Sequence, residues 1–206
     1  MSSPEPIAPL LEALGASTAW LRAARTKGAV IGGVAASLHG RPRVTRDIDL
    51  VVLAPDDEWA ELVDVGKRFD IVPRRRDVLT FARATRVLLM RHAPSGVDLD
   101  VSLGALPFER ALVERSVSRR IRGVSFRIAT AEDVVVMKSL ALRPRDVADI
   151  EGILDAVPNL EMDRVRRDVR ALAELADGPD FLGELERIVA ARRRRSRTRT
   201  DAKKRK

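Results

Sequence analysis

The sequence predicts a mixed α/β (α+β) fold: a mixed sheet flanked by helices, followed by a C-terminal helical lobe. Three observations lead there. Short runs rich in β-branched residues, Ala29-Val30-Ile31 and Asp47–Leu53 foremost, alternate with longer stretches of helical periodicity. From Thr130 onward the pattern is helical only. A chain of 206 residues, 45% hydrophobic, can bury one core without disulfides, and it contains no cysteine to form them.

Over residues 6–26, Leu10, Leu11, Leu14, Ala19, Leu21 and Ala24 recur at near-helical spacing. With Pro9 near the start and Gly15 as a candidate break, they predict one or two short helices. Ala29-Val30-Ile31 then runs into Gly32-Gly33, and Val34–Leu38 opens a helix, so the segment reads as strand, tight turn, helix. Asp47–Leu53 is a strand that ends at Pro55, and Asp56-Asp57-Glu58 starts a helix reaching about Phe69. Residues 78–82 and 85–91 read as two short strands, and Gly96–Leu103 as another, with the wording Val-Asp-Leu-Asp-Val. Pro107 precedes a short helix through Val113, and Arg119–Ile128, with Gly123 inside it, suggests a hairpin or bulged strand. Thr130 caps a helix through Leu142, a second runs from Asp146 to about Ala156, and a helical hairpin near 161–177 and 180–192 follows. The expected organisation is a main domain over 1–156, a helical segment over 157–191 and a disordered basic tail over 192–206.

The formal net charge of +8 is misleading until it is divided along the chain. Residues 191–206 hold ten Lys or Arg and one Asp, which leaves the rest with 28 cations against 29 anions. The basic character therefore belongs to the tail, and the folded part is free to carry an acidic site. Seven aromatic residues, none of them Tyr, argue against base stacking as a recognition mode. No apolar run nears the roughly 18 residues a membrane helix needs, and the start Met1–Glu5 lacks the features of a leader peptide. No membrane partner and a cytoplasmic location are expected.

The chemistry sits between Val30 and Val52. Asp47 and Asp49 lie two apart on a strand and so project from one face. Two like charges there call for a neutralising cation. Carboxylate oxygens suit Mg²⁺ or Mn²⁺, with further ligands coming from substrate phosphates. A second acidic strand offers Asp98 and Asp100, which share a face, so periodicity does not choose between them. A third carboxylate would complete a site for two ions that clamp the attacking and leaving oxygens at phosphorus. Gly32-Gly33 before a helix lets phosphate approach backbone N–H groups. Neither the dinucleotide nor the P-loop glycine pattern is present.

Gly32-Gly33, thirteen residues and then Asp47-Ile48-Asp49 resemble the signature of the DNA polymerase β nucleotidyltransferase superfamily. The surrounding wording, Leu38-His39-Gly40 and Arg43-x-Thr45-x-Asp47, is similar to the AbiEii/AbiGii toxin-like nucleotidyltransferases. So is the series Ala131-Glu132-Asp133-Val134, Lys138 and Arg143-Pro144-Arg145-Asp146-Val147-Ala148-Asp149-Ile150, and the match spans about residues 28–155.

The resemblance implies a nucleotidyltransferase fold and transfer of a nucleoside monophosphate from an NTP to an acceptor hydroxyl. Asp47, Asp49 and Asp100 would bind the metals, and Asp100, nine residues before Glu109, would be the third acid and the base. Gly32 and Gly33 would hold the triphosphate, and Lys138 a nucleotide phosphate, with Asp146 the late acidic residue. The second glycine replaces a serine common in the superfamily, so a hydroxyl contact would fall to Ser37 or Thr45. Arg41, Arg43 and Arg46 would either hold phosphates or neutralise the aspartates. The bland alternatives are a capping role for Asp146 and Asp149, a surface role for Lys138 and a solvated loop at Arg74-Arg75-Arg76. Toxin relatives imply a tRNA 3′ end or a protein as acceptor and a cognate antitoxin as partner, and the basic tail is a candidate RNA arm. A small-molecule nucleotidyltransferase and a non-catalytic nucleotide- or RNA-binding module are the competing readings.

Overall fold

A computed structural model describes residues 7–176 and 178–204, with side chains as far as Arg195. The first six residues, whose wording argued against a leader, and the end of the basic tail lie outside the described residues, as does Asp177. The described residues fall into two compact units, one reaching Ala35 and resuming over Val44–Thr130, the other formed by Ala36–Arg43 and Ala131 onward. By contact, the helices after Thr130 group together and a short segment near residue 40 joins them, whereas the expected boundary lay at 156/157.

The first unit is built on a seven-stranded sheet in the order β3-β4-β5-β2-β1-β7-β6. Its strands are β1 (Lys27–Val30), β2 (Asp47–Leu53), β3 (Ile71–Pro73), β4 (Val87–His92), β5 (Val97–Leu103), β6 (Val117–Ile121) and β7 (Val124–Ile128). Helices α1 (Ala8–Ala23), α3 (Trp59–Gly66), α4 (Val78–Thr85) and α5 (Pro107–Arg115) belong to the same unit. The sheet is mixed: β2 runs parallel to β5 and β1 to β7, and the other pairings are antiparallel. Helix α2 (Gly32–His39) follows β1, and the chain passes from one unit to the other along it.

Alternation along β5 explains why the sheet has an acidic face. Val97, Leu99, Val101 and Leu103 are buried, while Asp98, Asp100 and Ser102 between them are half-exposed. The same period on β2 buries Ile48, Leu50 and Val52 and turns Asp47 and Asp49 to the other side. Burial of the apolar set specifies the register, because a slip of one residue would bring the aspartates into the core.

Two segments differ from their expected form. Residues 78–85 are the helix α4, not a strand, because Val78 and Ala82, four apart, are the buried positions. Its start is backed by the Phe81 N–H donating to the Asp77 carbonyl, and it ends at Arg86, which takes a left-handed conformation with φ 57°. At the other end of the unit, α1 continues through Gly15 as one helix, held by buried Leu11, Leu14, Trp20 and Leu21. Burying those side chains outweighs the roughly 1 kcal/mol that a mid-helix glycine costs. Trp20 is fully buried and its indole N–H donates to the Leu62 carbonyl at 2.8 Å.

The second unit consists of α6 (Ala131–Ala141), α7 (Pro144–Ala156), α8 (Met162–Ala173) and α9 (Phe181–Lys204), together with the end of α2 and the turn after it. Its core is formed by Val134, Val135, Ile150, Ile153, Val165, Val169 and Leu185. Gly40 is required here because an added Cβ would lie 2.8 Å from the Ile153 backbone nitrogen. That close approach accounts structurally for the glycine in Leu38-His39-Gly40. The tail expected to be disordered from 192 instead continues α9 to Lys204. Arginine has high helix propensity, the helix is already anchored by Leu185, Ile188 and Val189, and Arg192 and Arg195 pair with Asp155 and Glu151. No helix among the described residues is long and apolar enough to cross a membrane.

Candidate active site

The register of β2 on β5 sets Asp47 opposite Asp98 and Asp49 opposite Asp100. Partners in a parallel ladder share a face, so all four carboxylates emerge on one side of two strands about 4.8 Å apart. Sequence periodicity alone leaves Asp98 and Asp100 equivalent, and their surroundings separate them. Asp98 accepts hydrogen bonds from Arg91 at 2.6 Å and Arg74 at 3.0 Å. The Arg91 bond is the main reason its carboxyl is held below the ordinary range, against burial that pushes it up. Asp100 is bound by Arg74 and its side chain is 44% exposed, against 29% for Asp98.

Asp49 meets the glycine bend. Gly32 has φ +61°, and a Cβ built on it would lie 1.8 Å from Asp49 Oδ2, so both backbone conformation and space exclude a side chain there. The Gly33 N–H donates to the same oxygen at 3.3 Å, and the Ile31 N–H donates to the Asp49 carbonyl at 2.9 Å. The start of α2 therefore already holds an anionic group, as the orphan N–H groups of a helix N-terminus favour. Asp47 is exposed at the start of β2, and Thr45 and Arg46 precede it in the loop that follows Arg43.

Among the described residues, no group of three or more Asp, Glu or His side chains is gathered tightly enough to bind a metal as it stands. The reason is visible in the partners. Asp49 leans to the Gly33 N–H, while Asp98 and Asp100 are drawn to Arg74. Arg41, Arg43 and Arg46 were expected either to hold phosphates or to neutralise the aspartates. Asp98 and Asp100 are neutralised by Arg74 and Arg91, while Arg41 pairs with Asp155 and Arg43 with Asp149. The Arg74-Arg75-Arg76 run, expected as a solvated loop, is engaged: Arg75 pairs with Asp77 and lies 4.2 Å from the Phe81 ring centroid. Arg74 was missed because a three-residue edge strand, β3, leaves almost no periodic signal.

The remaining predicted residues, Ser37, Lys138 and Asp146, lie in the second unit. The Ser37 hydroxyl donates to the Arg43 carbonyl at 3.3 Å. Lys138, 6% exposed, sits between Asp146 at 2.6 Å and Asp149 at 3.0 Å. Asp146 also accepts from the Arg143 backbone N–H and guanidinium, which makes it the carboxylate that caps α7. Asp149 receives Arg43 through two bonds of 2.9 and 3.1 Å. Burial pushes both carboxyls up, but the hydrogen bonds outweigh it and hold them below the usual range: Arg143 then Lys138 for Asp146, Arg43 then Lys138 for Asp149. Asp133, which the sequence placed in the first turn of a helix, is fully buried and accepts from Arg164 at 2.9 Å. Glu109 accepts from the Ala105 and Leu106 N–H groups and starts α5.

The profile of the family described as "Nucleotidyltransferase of unknown function (DUF6036)" matches residues 16–175, which contain every candidate residue named above. The chain belongs to this family. It is a nucleotidyltransferase, the class that the Gly-Gly and Asp-x-Asp wording predicts. Such enzymes use NTP substrates and divalent metals. The solution structure of the antibiotic-resistance factor ANT(2″)-Ia, 16% identical, aligns over 80% of this nucleotidyltransferase and 91% of its own chain with a TM-score of 0.55. A crystal structure of an antigenic nucleotidyltransferase-like protein from Paracoccidioides brasiliensis, 17% identical, aligns over 86% and 92% with a TM-score of 0.51. Both likenesses are of fold. By sequence, no curated protein matches the chain.

Proposed function

We propose that this nucleotidyltransferase moves a nucleoside monophosphate from an NTP to an acceptor hydroxyl, releasing pyrophosphate, with Asp47, Asp49 and Asp100 as its acidic set. The observation that carries the reading is the β2/β5 register, which puts Asp49 beside Asp100 on the face from which Asp47 also projects, against the start of α2. This donor set fits a divalent cation, because carboxylates are hard oxygen ligands and Mg²⁺ takes only one or two of them before filling its sphere with water and phosphate. Asp47, Asp49 and Asp100 would hold Mg²⁺ or Mn²⁺, which when bound supplies charge neutralisation at phosphorus.

The chain's own groups do the rest. The N–H groups of Gly32 and Gly33 open α2 and would donate to phosphate oxygens, that of Gly33 on leaving Asp49 Oδ2. Thr45 and Arg46, in the loop that leads into β2, would add side-chain donors for the same phosphates. Asp100, the more exposed of the β5 acids, accepts the proton of the attacking hydroxyl. Lys138 is committed to two carboxylates, so a phosphate role for it requires that a phosphate replace one of them. Asp146 then serves by keeping Lys138 and the start of α7 in place.

For the acceptor, the run of arginines along α9 supports an RNA hydroxyl such as a tRNA 3′ end. The AbiEii-like wording supports the role of toxin in a type IV toxin–antitoxin pair, with a protein hydroxyl as the other acceptor and a cognate antitoxin as partner. The fold likeness to ANT(2″)-Ia favours a second reading, in which the acceptor is a small hydroxylated antibiotic.

One experiment separates these readings. Each α-labelled NTP is incubated with Mg²⁺ and total RNA, lysate protein or an aminoglycoside panel, using the native chain and Asp49→Ala. Label is expected on RNA, and the substitution is expected to lower it about a hundredfold or more, as loss of a charge-stabilising group does. Label on an aminoglycoside alone replaces the acceptor. Equal labelling by native and variant protein rejects the reaction.

A further inference from the structure

The guanidinium of Arg74 occupies the position where the proposed chemistry needs positive charge. Its two terminal nitrogens reach Asp98 and Asp100, so a single side chain spans both carboxylates of β5 on the acidic face. The backbone fixes where it starts: the Arg74 N–H donates to the Leu89 carbonyl at 2.9 Å, and Leu89 stands opposite Asp100 in the β4/β5 ladder. Asp98 has a second cation in Arg91, whereas Arg74 supplies the ion pair of Asp100. Removal of Arg74 therefore leaves Asp98 neutralised and changes mainly the charge at Asp100.

We infer that Arg74 is a resident counter-ion which a divalent cation must displace from Asp100, and that this displacement makes metal binding contingent on nucleotide. The inference rests on the metal-dependent reading given above and assigns a specificity-determining residue within it. A divalent cation arriving alone competes with a guanidinium for Asp100 and leaves that guanidinium without an anion. A cation arriving with an NTP brings phosphate oxygens, which accept planar guanidinium groups well, so the released Arg74 gains a new partner. Metal without nucleotide is then bound weakly, and nucleotide and metal tighten each other.

Free Mn²⁺, followed by its paramagnetic resonance signal, reports the binding with no turnover required. The full chain, Arg74→Gln, Arg74→Lys and Asp49→Ala are titrated with Mn²⁺ alone and with a non-hydrolysable ATP analogue present. Arg74→Gln is expected to bind Mn²⁺ alone about fivefold more tightly than the native chain, the scale of one partly exposed ion pair. The factor by which nucleotide tightens Mn²⁺ should shrink in the same variant. Arg74→Lys keeps the charge and should stay near native, and Asp49→Ala should weaken binding in both conditions. A gain of affinity is an outcome that general damage to the fold does not produce. If Arg74→Gln binds Mn²⁺ no better than the native chain while the native chain binds Mn²⁺ with nucleotide, the counter-ion assignment fails and the metal reading survives. If no form binds Mn²⁺ even with nucleotide, both fail.

Discussion

The chain places aspartates against cations in two settings that differ in their exposure to water. On the β2/β5 face the carboxylates are half-exposed or exposed, and their arginine partners reach in from β4 and the end of β3. In the helical unit, Lys138, Asp146 and Asp149 are nearly or fully buried and every charge is matched by several hydrogen bonds. Desolvated charges are costly unless they are paired, and once paired they are costly to disturb. Half-exposed pairs exchange partners cheaply because water is ready to replace either one. The first arrangement suits ligand exchange, and the second suits holding α6 and α7 in fixed register.

The sharpest way to break this comparison is to delete one charge from each cluster and measure urea unfolding. Lys138→Ala removes the buried ammonium that Asp146 and Asp149 share, leaving each with its arginine alone, and should cost about 3 kcal/mol. Gly32→Ala comes next. A Cβ at positive φ and 1.8 Å from Asp49 Oδ2 should cost about 1–3 kcal/mol and dislodge Asp49, so stability and label transfer fall together. Arg74→Gln should change stability by no more than about 1 kcal/mol, because its partners are open to water. Arg195→Ala, which breaks an exposed pair with Glu151, should stay below about 0.5 kcal/mol. Equal losses for Lys138→Ala and Arg74→Gln would erase the distinction between the clusters.

Acid titration sharpens the same contrast. Asp146 and Asp149 have folded values below their unfolded ones, so the unfolded chain binds more protons across that interval. Their contribution to stability is complete above the unfolded value, near pH 4, and is lost as pH falls through the folded values. The unfolding midpoint should therefore be flat above about pH 5 and drop below about pH 4. Asp149→Asn should lower the midpoint at neutral pH and flatten the acid limb. An acid limb as steep in Asp149→Asn as in the native chain would contradict the assignment.

Much of the first unit was legible in the sequence because it rests on local patterns. The two acidic strands, β2 and β5, carry strict alternation, and Gly32-Gly33 marks a bend that only glycine accommodates at its first position. Misreadings fell where local preference and burial disagreed. Val78–Ala82 has strand-like composition, yet its buried positions are four apart. The arginine-rich end has no apolar residues of its own, yet it extends a helix anchored upstream. Of the candidate site, the two acidic strands were legible and the partners of their aspartates were not, since those lie on other strands.

The sequence by itself determined the class of chemistry, since two aspartates two apart on a strand must share a face and a glycine pair opening a helix lets an anion approach its N–H groups. Tertiary structure alone decided that Asp100 stands beside Asp49, that Arg74 spans Asp98 and Asp100, and that Lys138 lies buried between two acids. The physical reason is range. Periodicity acts through neighbours in the chain, whereas the β2/β5 register and the pairs made by Arg74 and Arg43 join residues 24 to 106 positions apart, and only the packed core selects among their possible matches.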